Sequence, residues 1–246
     1  MSKVRHLNHA PITEAIIDYR VKARPDLRAE DFGSVRERIA QQFPKVDERR
    51  GRKISFEVGV PGSAQSQDLG FQGLLFKAAD DKEIAQFRVD GFTLNRLKPY
   101  TSWAELYPLA RDLWALYVSI ARPVVVTRLA VRYINHVSLP PTLKDYDEYL
   151  RAAPPVPREL PQFVSSFLSR ITIHEPDSGL AAHISHALEI DADGRQPTVI
   201  VDIDAFRASD VEPLAAAVDE AFERLHDFKN RIFFNLLTDD ALRTFE

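Results

Sequence analysis

Apolar and polar positions alternate with a period of two at Ile17, Tyr19 and Val21, with Asp18 and Arg20 between them, which predicts a half-buried strand after Pro11. The period then changes. Phe32, Val35, Ile39 and Phe43 fall at the spacing of one helix face, and Pro44 closes that helix. Alternation returns at Ile54, Phe56, Val58 and Val60, and strand-like runs follow at Phe71 to Lys77 and Ile84 to Leu97, the latter interrupted by Asp90-Gly91 as a tight hairpin turn or a bulge. Ser102 and Glu105 form a capping box. The stripe behind it, Trp103, Leu106, Leu109, Leu113, Leu116, Tyr117 and Ile120, predicts a long helix ended by Pro123.

After Pro123 the same order begins again. Leu129, Val131, Tyr133 and Val137 alternate with Arg128, Arg132 and His136 as a strand, and Thr142 to Leu150 reads as a capped helix. Beyond a connector rich in proline (Pro154, Pro155, Pro157, Pro161), strands are predicted at Phe167 to His174, Leu180 to Ile190 and Val199 to Phe206. A second long helix opens near Ser209 or Asp210, carries Pro213 in its first turn, and runs through Leu214, Val218, Phe222, Leu225 and Phe228 toward Leu237, and Thr238 caps a last short turn. Phe87-Arg88-Val89-Asp90-Gly91-Phe92 resembles Val201-Asp202-Ile203-Asp204-Ala205-Phe206 at the corresponding place. The expected class is therefore α+β: a duplicated strand, helix, strands, helix unit, with halves 1–123 and 124–246 in one compact body. The expected sheet is antiparallel with long helices on one face, in the outline of either the TATA-binding protein or the helix-grip fold.

Four short segments, Ala10-Pro11-Ile12-Thr13-Glu14-Ala15, Tyr100-Thr101-Ser102-Trp103-Ala104-Glu105, Arg128-Leu129-Ala130-Val131-Arg132-Tyr133-Ile134-Asn135 and Leu236-Leu237-Thr238-Asp239, span nearly the whole chain. In order and spacing they resemble a sporadically distributed family of uncharacterised prokaryotic proteins of about this length. The resemblance implies no activity and no catalytic residues. Its patchy occurrence fits a role in a mobile or defence-related gene module.

Composition narrows the classes. The chain has 246 residues, 45% of them hydrophobic, enough for a large core and too apolar for disorder. With 32 Lys and Arg against 36 Asp and Glu, the formal charge of −4 argues against a broad grip on nucleic acid and leaves room for a local basic patch. No cysteine is present, which removes disulfides, thiolate metal sites and cysteine nucleophiles and favours a reducing compartment. The first residues carry His6, Asn8 and His9 in place of an apolar stretch, and no run of apolar residues is long enough to span a bilayer, so a soluble cytoplasmic protein is expected.

Candidate chemistry is sparse. Nine glycines form neither G-x-G-x-x-G nor a phosphate-cradling loop, and no G-x-S-x-G elbow occurs, so no catalytic residue, metal ligand or cofactor is assigned. His174, His183 and His186 lie close to Asp202 and Asp204, but a strand separation of three sends His183 and His186 to opposite faces. Asp202 and Asp204 share a face and suit pairing with cross-strand arginines better than acid-base work, and Asp193-Gly194 marks a hairpin turn with Asp191 beside it. Arginine supplies 23 of the 32 basic residues. Arg128, Arg132 and His136 line one strand face, with Arg88 and Arg96 joining them, as forks for phosphate or carboxylate or as a ladder against Asp18, Asp90, Asp202 and Asp204. Lys45, Arg49, Arg50, Arg52 and Lys53 form a basic cluster, read as an exposed loop. Trp103, Tyr107 and Trp114 are read as core.

These readings converge on a non-catalytic binding protein that engages a partner through its sheet surface, with Arg128, Arg132, His136, Arg88, Arg50 and Arg52 as the binding residues. The favoured partner is a protein, with nucleic acid or a second copy of the chain as further options and no membrane. The alternative is a small-ligand carrier or sensor with a pocket between the sheet and a long helix.

Overall fold

Strand-forming alternation runs through more of the chain than its apolar residues indicate. The computed structural model describes residues 7–55, 65–140, 145–153, 155–157, 159–162, 164–190 and 197–246. Along it lie β1 (Ile12–Lys22), α1 (Val35–Ile39), β2 (Lys45–Ser55), β3 (Gln65–Lys77), β4 (Glu83–Arg88), β5 (Gly91–Leu97) and α2 (Trp103–Ala121). Then follow β6 (Val125–Ser138), β7 (Leu168–Glu175), β8 (Leu180–Ile190), β9 (Pro197–Val211), α3 (Ala216–Leu236) and α4 (Asp239–Arg243). Single 3₁₀ turns at Ala29–Ser34 and Tyr146–Glu148 precede α1 and β7.

All nine strands belong to one sheet, in the order β2-β3-β4-β5-β1-β6-β9-β8-β7, and every pair is antiparallel. The expected α+β class, with long helices on one face of a duplicated unit, is overturned. Among the described residues the four helices hold 5, 19, 21 and 5 residues, against nine strands in one sheet, and the protein is mostly β. The saddle and helix-grip outlines fall with that class. No helix of the described residues is long and apolar enough to cross a membrane.

Two of three local departures share a cause, which is that polar residues pair well on a strand whose face or edge is wet. The basic cluster read as a loop is β2, paired with β3 from Lys45 opposite Lys77 to Ser55 opposite Gln65. Several of its described charges have partners: Lys45 reaches Asp81 at 2.6 Å, Arg50 reaches Glu48 at 3.0 Å and Asp47 is reached by Lys77 at 2.5 Å. Ser209 and Asp210 do not open a helix, because β9 continues past them to place Val211 opposite Val126. Pro213 then ends the strand, and α3 begins only at Ala216. The capped helix expected at Thr142 to Leu150 shrinks to the 3₁₀ turn at Tyr146, where the Asp145 carboxylate accepts from Asp147 N at 2.9 Å. The strand expected at Ile54 to Val60 is described only up to Ser55, and Asp191, Asp193 and Gly194 lie outside the described residues.

Register fixes the two faces. Ile17 stands opposite Leu94 and Val131, whereas Asp18 stands opposite Thr93 and Ala130. One face therefore collects Ala15, Ile17, Tyr19, Phe92, Leu94, Val131, Tyr133 and Ile203, all buried beneath α2 and α3. The helices are held there by rings: Tyr19 stacks on Trp114 at 4.2 Å and meets Phe222 of α3 at 4.7 Å, while Trp114 stacks on Tyr117 and Tyr117 on Phe32. Trp114 Nε1 also donates to the carbonyl of Pro213 at 2.9 Å, joining α2 to the lead-in of α3. Asp90-Gly91 is a hairpin turn, and only glycine fits: φ is +151°, and a Cβ at Gly91 would lie 2.0 Å from the Tyr19 carbonyl oxygen.

The Tyr19 hydroxyl is buried and has no hydrogen-bond partner among the described residues. Tyr19→Phe removes that unpaired group while keeping the ring stack, so it should stabilise the fold by roughly 1 kcal/mol. A raised midpoint of thermal unfolding is the expected reading, and a fall of several degrees would show that the hydroxyl is bonded.

Candidate functional site

The polar face places the predicted arginines first. Arg128 Nη2 bonds both carboxylate oxygens of Asp204 at 2.8 Å, and Arg132 forks onto Asp202 at 2.8 and 2.6 Å. Arg88 is 4% exposed and bonds Asp18 at 3.1 Å, Thr93 at 2.7 Å and Asp90 at 2.9 Å. Arg20 closes the cluster onto Asp18 and Asp90. Burial of Asp18 works against its charge, but Arg88, Arg20 and the Thr93 hydroxyl outweigh it and hold the carboxyl below its ordinary value. Arg49 donates to Gln86, Gln86 to Asn95 and Asn95 to Glu14, at 2.7, 2.8 and 2.6 Å. These side chains surround a shallow depression of about 240 Å³. Its guanidinium groups are engaged within the face, so the ladder of ion pairs, not a set of free forks, is what the alternation of Arg and Asp builds.

The remaining predicted residues are dispersed. Arg96 lies on the opposite face from Arg88, where it bonds Thr101 at 2.9 Å and pairs with Glu83, so it does not join the arginine row. Arg50 pairs with Glu48 at 3.0 Å on edge strand β2, Arg52 is on the same strand, and His136 is exposed on β6. His183 meets Thr172 at 2.9 Å on the polar face, while His186 is 6% exposed on the apolar one. Among the described residues no group of His, Asp and Glu has the arrangement to hold a metal ion.

A larger cavity, of about 420 Å³, opens on the helix side. Its walls are Leu7 to Ile12 ahead of and at the start of β1, Tyr100 to Ala104 at the start of α2, Asn135 on β6, and His226, Lys229, Asn230, Phe233 and Phe234 on α3. The segments Ala10 to Ala15, Tyr100 to Glu105 and Arg128 to Asn135 all contribute to this lining. Ser102 caps α2 by accepting from Glu105 N at 3.2 Å, which holds Trp103 and Ala104 in the first turn at the cavity wall. Trp103, read from the sequence as core, is only half-buried: it stacks between Tyr107 at 4.9 Å and His226 at 4.4 Å.

Lys229 is the residue that sequence reasoning passed over. It is 6% exposed and occupies a position of the α3 stripe formed by Leu225, Phe228, Ile232 and Phe233. Nζ donates to Asn230 Oδ1 at 2.6 Å and lies 3.7 Å from the centre of the Tyr133 ring. Among the described residues the cavity lining contains no Asp or Glu side chain. Burial pushes the amine down to about 7. Burial first, and the nearby Lys229 charge second, push His226 down to about 3, so its ring is neutral at ordinary pH. Tyr133 and Tyr100 join hydroxyls at 3.2 Å beside them. The signal available in the sequence was a lysine four residues from both Leu225 and Phe233 within an apolar stripe.

No protein-family model and no curated protein matches the chain.

Two stability tests follow from these charges. Arg88→Met leaves Asp18 buried without its main partner and should cost about 3 kcal/mol, whereas Arg132→Ala breaks a half-exposed pair and should cost less than about 1 kcal/mol. Urea unfolding of both variants checks the ranking, and equal losses would contradict it. For Lys229, the unfolded chain holds its proton up to about 10.5 and the folded one only up to about 7. Between these values the unfolded state binds more protons, so stability should rise with pH across that window and be lowest, for this group, below it. Lys229→Met should raise the melting midpoint at pH 7 and flatten that rise; an unchanged pH profile would show that the amine titrates normally.

Proposed function

We propose that the protein binds a small molecule in the cavity enclosed by the start of β1, β6 and the facing ends of α2 and α3, and acts as a carrier or sensor. One observation carries this reading: a lysine that is nine-tenths buried reaches a cavity of about 420 Å³ with no Asp or Glu side chain among the described residues of its lining. A buried cation left unneutralised is costly for a fold to keep, and such groups gather at sites of function. The volume lies within the range of small-ligand sites, and the walls combine aromatic surface with a few polar groups, as such sites do. The convergence of three separate resemblance segments on one cavity supports the same reading. Engagement of a macromolecule through the arginine row has less support, because each of Arg88, Arg128 and Arg132 already has a carboxylate partner.

Native mass spectrometry of the chain purified from its own host provides the test. The expected result is a non-covalent adduct that is lost on denaturation and absent from Ala10→Trp, in which an indole enters the cavity. A bare polypeptide mass in the unaltered protein would overturn the proposal.

A further inference from the structure

The chemistry of the cavity also indicates what it takes. Resting on the reading of this cavity as a ligand site, we propose that its ligand is an organic carboxylate, with the anionic group on Lys229 Nζ and an apolar body against Trp103, Phe233 and Phe234.

An ammonium group has three donors. At Lys229 one goes to Asn230 and the ring face of Tyr133 lies 3.7 Å away, which leaves a donor with no oxygen partner among the described residues. Every group packed around it is neutral or positive. His226 and Asn230 share its helix, Tyr133 faces it from β6, and Tyr100 backs Tyr133 from the segment before α2. At the start of α2 two carboxylates already stand against the helix terminus, Glu105, which Thr101 reaches at 2.7 Å, and Glu223, which accepts from Trp103 Nε1 at 3.0 Å, so Lys229 is the cation that the described cavity wall supplies. One buried cation matches a monoanion. A phosphate dianion would bring twice the charge to a site without a second cation, and a neutral amide would leave the ammonium unneutralised. The rest of the wall is apolar or aromatic, which suits a carboxylate attached to a hydrocarbon or ring.

Isothermal titration of the full chain with benzoate, benzamide and inorganic phosphate tests the inference, repeated with Lys229→Met. Benzoate should bind, benzamide should bind at least about tenfold more weakly, and Lys229→Met should weaken benzoate by about tenfold or more while leaving benzamide unchanged. Benzoate binding at pH 8 should take up a proton, seen as a dependence of the measured heat on the buffer, because the carboxylate returns the amine to its charged form. His226, Tyr133 and Tyr100 do not change charge in that range: the histidine is already neutral and the tyrosines are held above their ordinary values. Benzamide equal to benzoate in the unaltered protein overturns the inference and leaves the cavity as a ligand site. Phosphate binding more tightly than benzoate, with the same loss in Lys229→Met, overturns the carboxylate assignment alone. Binding of none of the three overturns the inference, and if native mass spectrometry also finds a bare chain, the ligand-site reading falls with it. The benzoate against benzamide comparison needs no variant, so it holds even if Lys229→Met fails to fold.

Discussion

The rest of the molecule depends on the stack of rings between the central strands and helices α2 and α3. Tyr19 is fully buried on β1, the strand that joins the strands before α2 to those after it, and its ring contacts Trp114 on α2 and Phe222 on α3. Few apolar side chains offer enough flat surface to meet two helices at once, and dispersion over such areas sums to a large stabilisation although each contact is small. The start of α2 and the later turns of α3 both line the cavity, and Trp103 stacks on His226 at 4.4 Å at its wall.

The opposite face is organised by charge instead of by rings. Its central strands present Asp18, Arg20, Arg128 and Arg132, and the cross-strand partners Arg88, Thr93, Asp202 and Asp204 complete the bonds. A polar layer of this kind works only when nearly every member is satisfied, since one unpaired buried charge costs more than a pair contributes. Satisfaction has a functional consequence. Guanidinium groups already forked onto carboxylates have few donors to offer a phosphate, so the face that looks most chemical in the sequence is the one whose chemistry is spent internally. Lys229, buried with no carboxylate partner among the described residues, is on the other side of the sheet.

Much of the strand pattern was legible because half-buried strands print their period directly: β5, β8 and the Asp90-Gly91 turn follow from alternation and glycine alone. The Ser102 and Thr238 caps were equally visible, since a cap needs one hydroxyl at one position. The opposite faces of His183 and His186 followed from parity. What escaped were segments in which charge replaces hydrophobicity. In β2 the cross-strand partners are salt bridges and hydrogen bonds, so its composition resembles a loop, and the end of β9, Arg207 to Asp210, resembles a helix cap for the same reason. The overestimate of helical character came from the end of β9, read as the opening of α3, and from the segment now seen as the 3₁₀ turn at Tyr146. The arginine row was legible, and so was its ladder against Asp18, Asp90, Asp202 and Asp204, but which aspartate each arginine meets depends on the pairing of β6 with β9 and of β1 with β5.

Lys229 shows why a site can be less legible than a core. An amphipathic stripe is read by its apolar members, and a lysine within it is naturally assigned to the edge, where its stem lies along the core and its head reaches water. On α3 that escape is closed: Phe228, Ile232 and Phe233 flank the stem, and the head ends over Tyr133 beneath the start of α2. Methionine would fill the same volume without the desolvation cost, so packing gives no reason for the amine. The fold stabilises this arrangement through the ring stack and the satisfied polar face. On the proposed reading, a negative charge entering the cavity converts this unfavourable buried group into half of an ion pair.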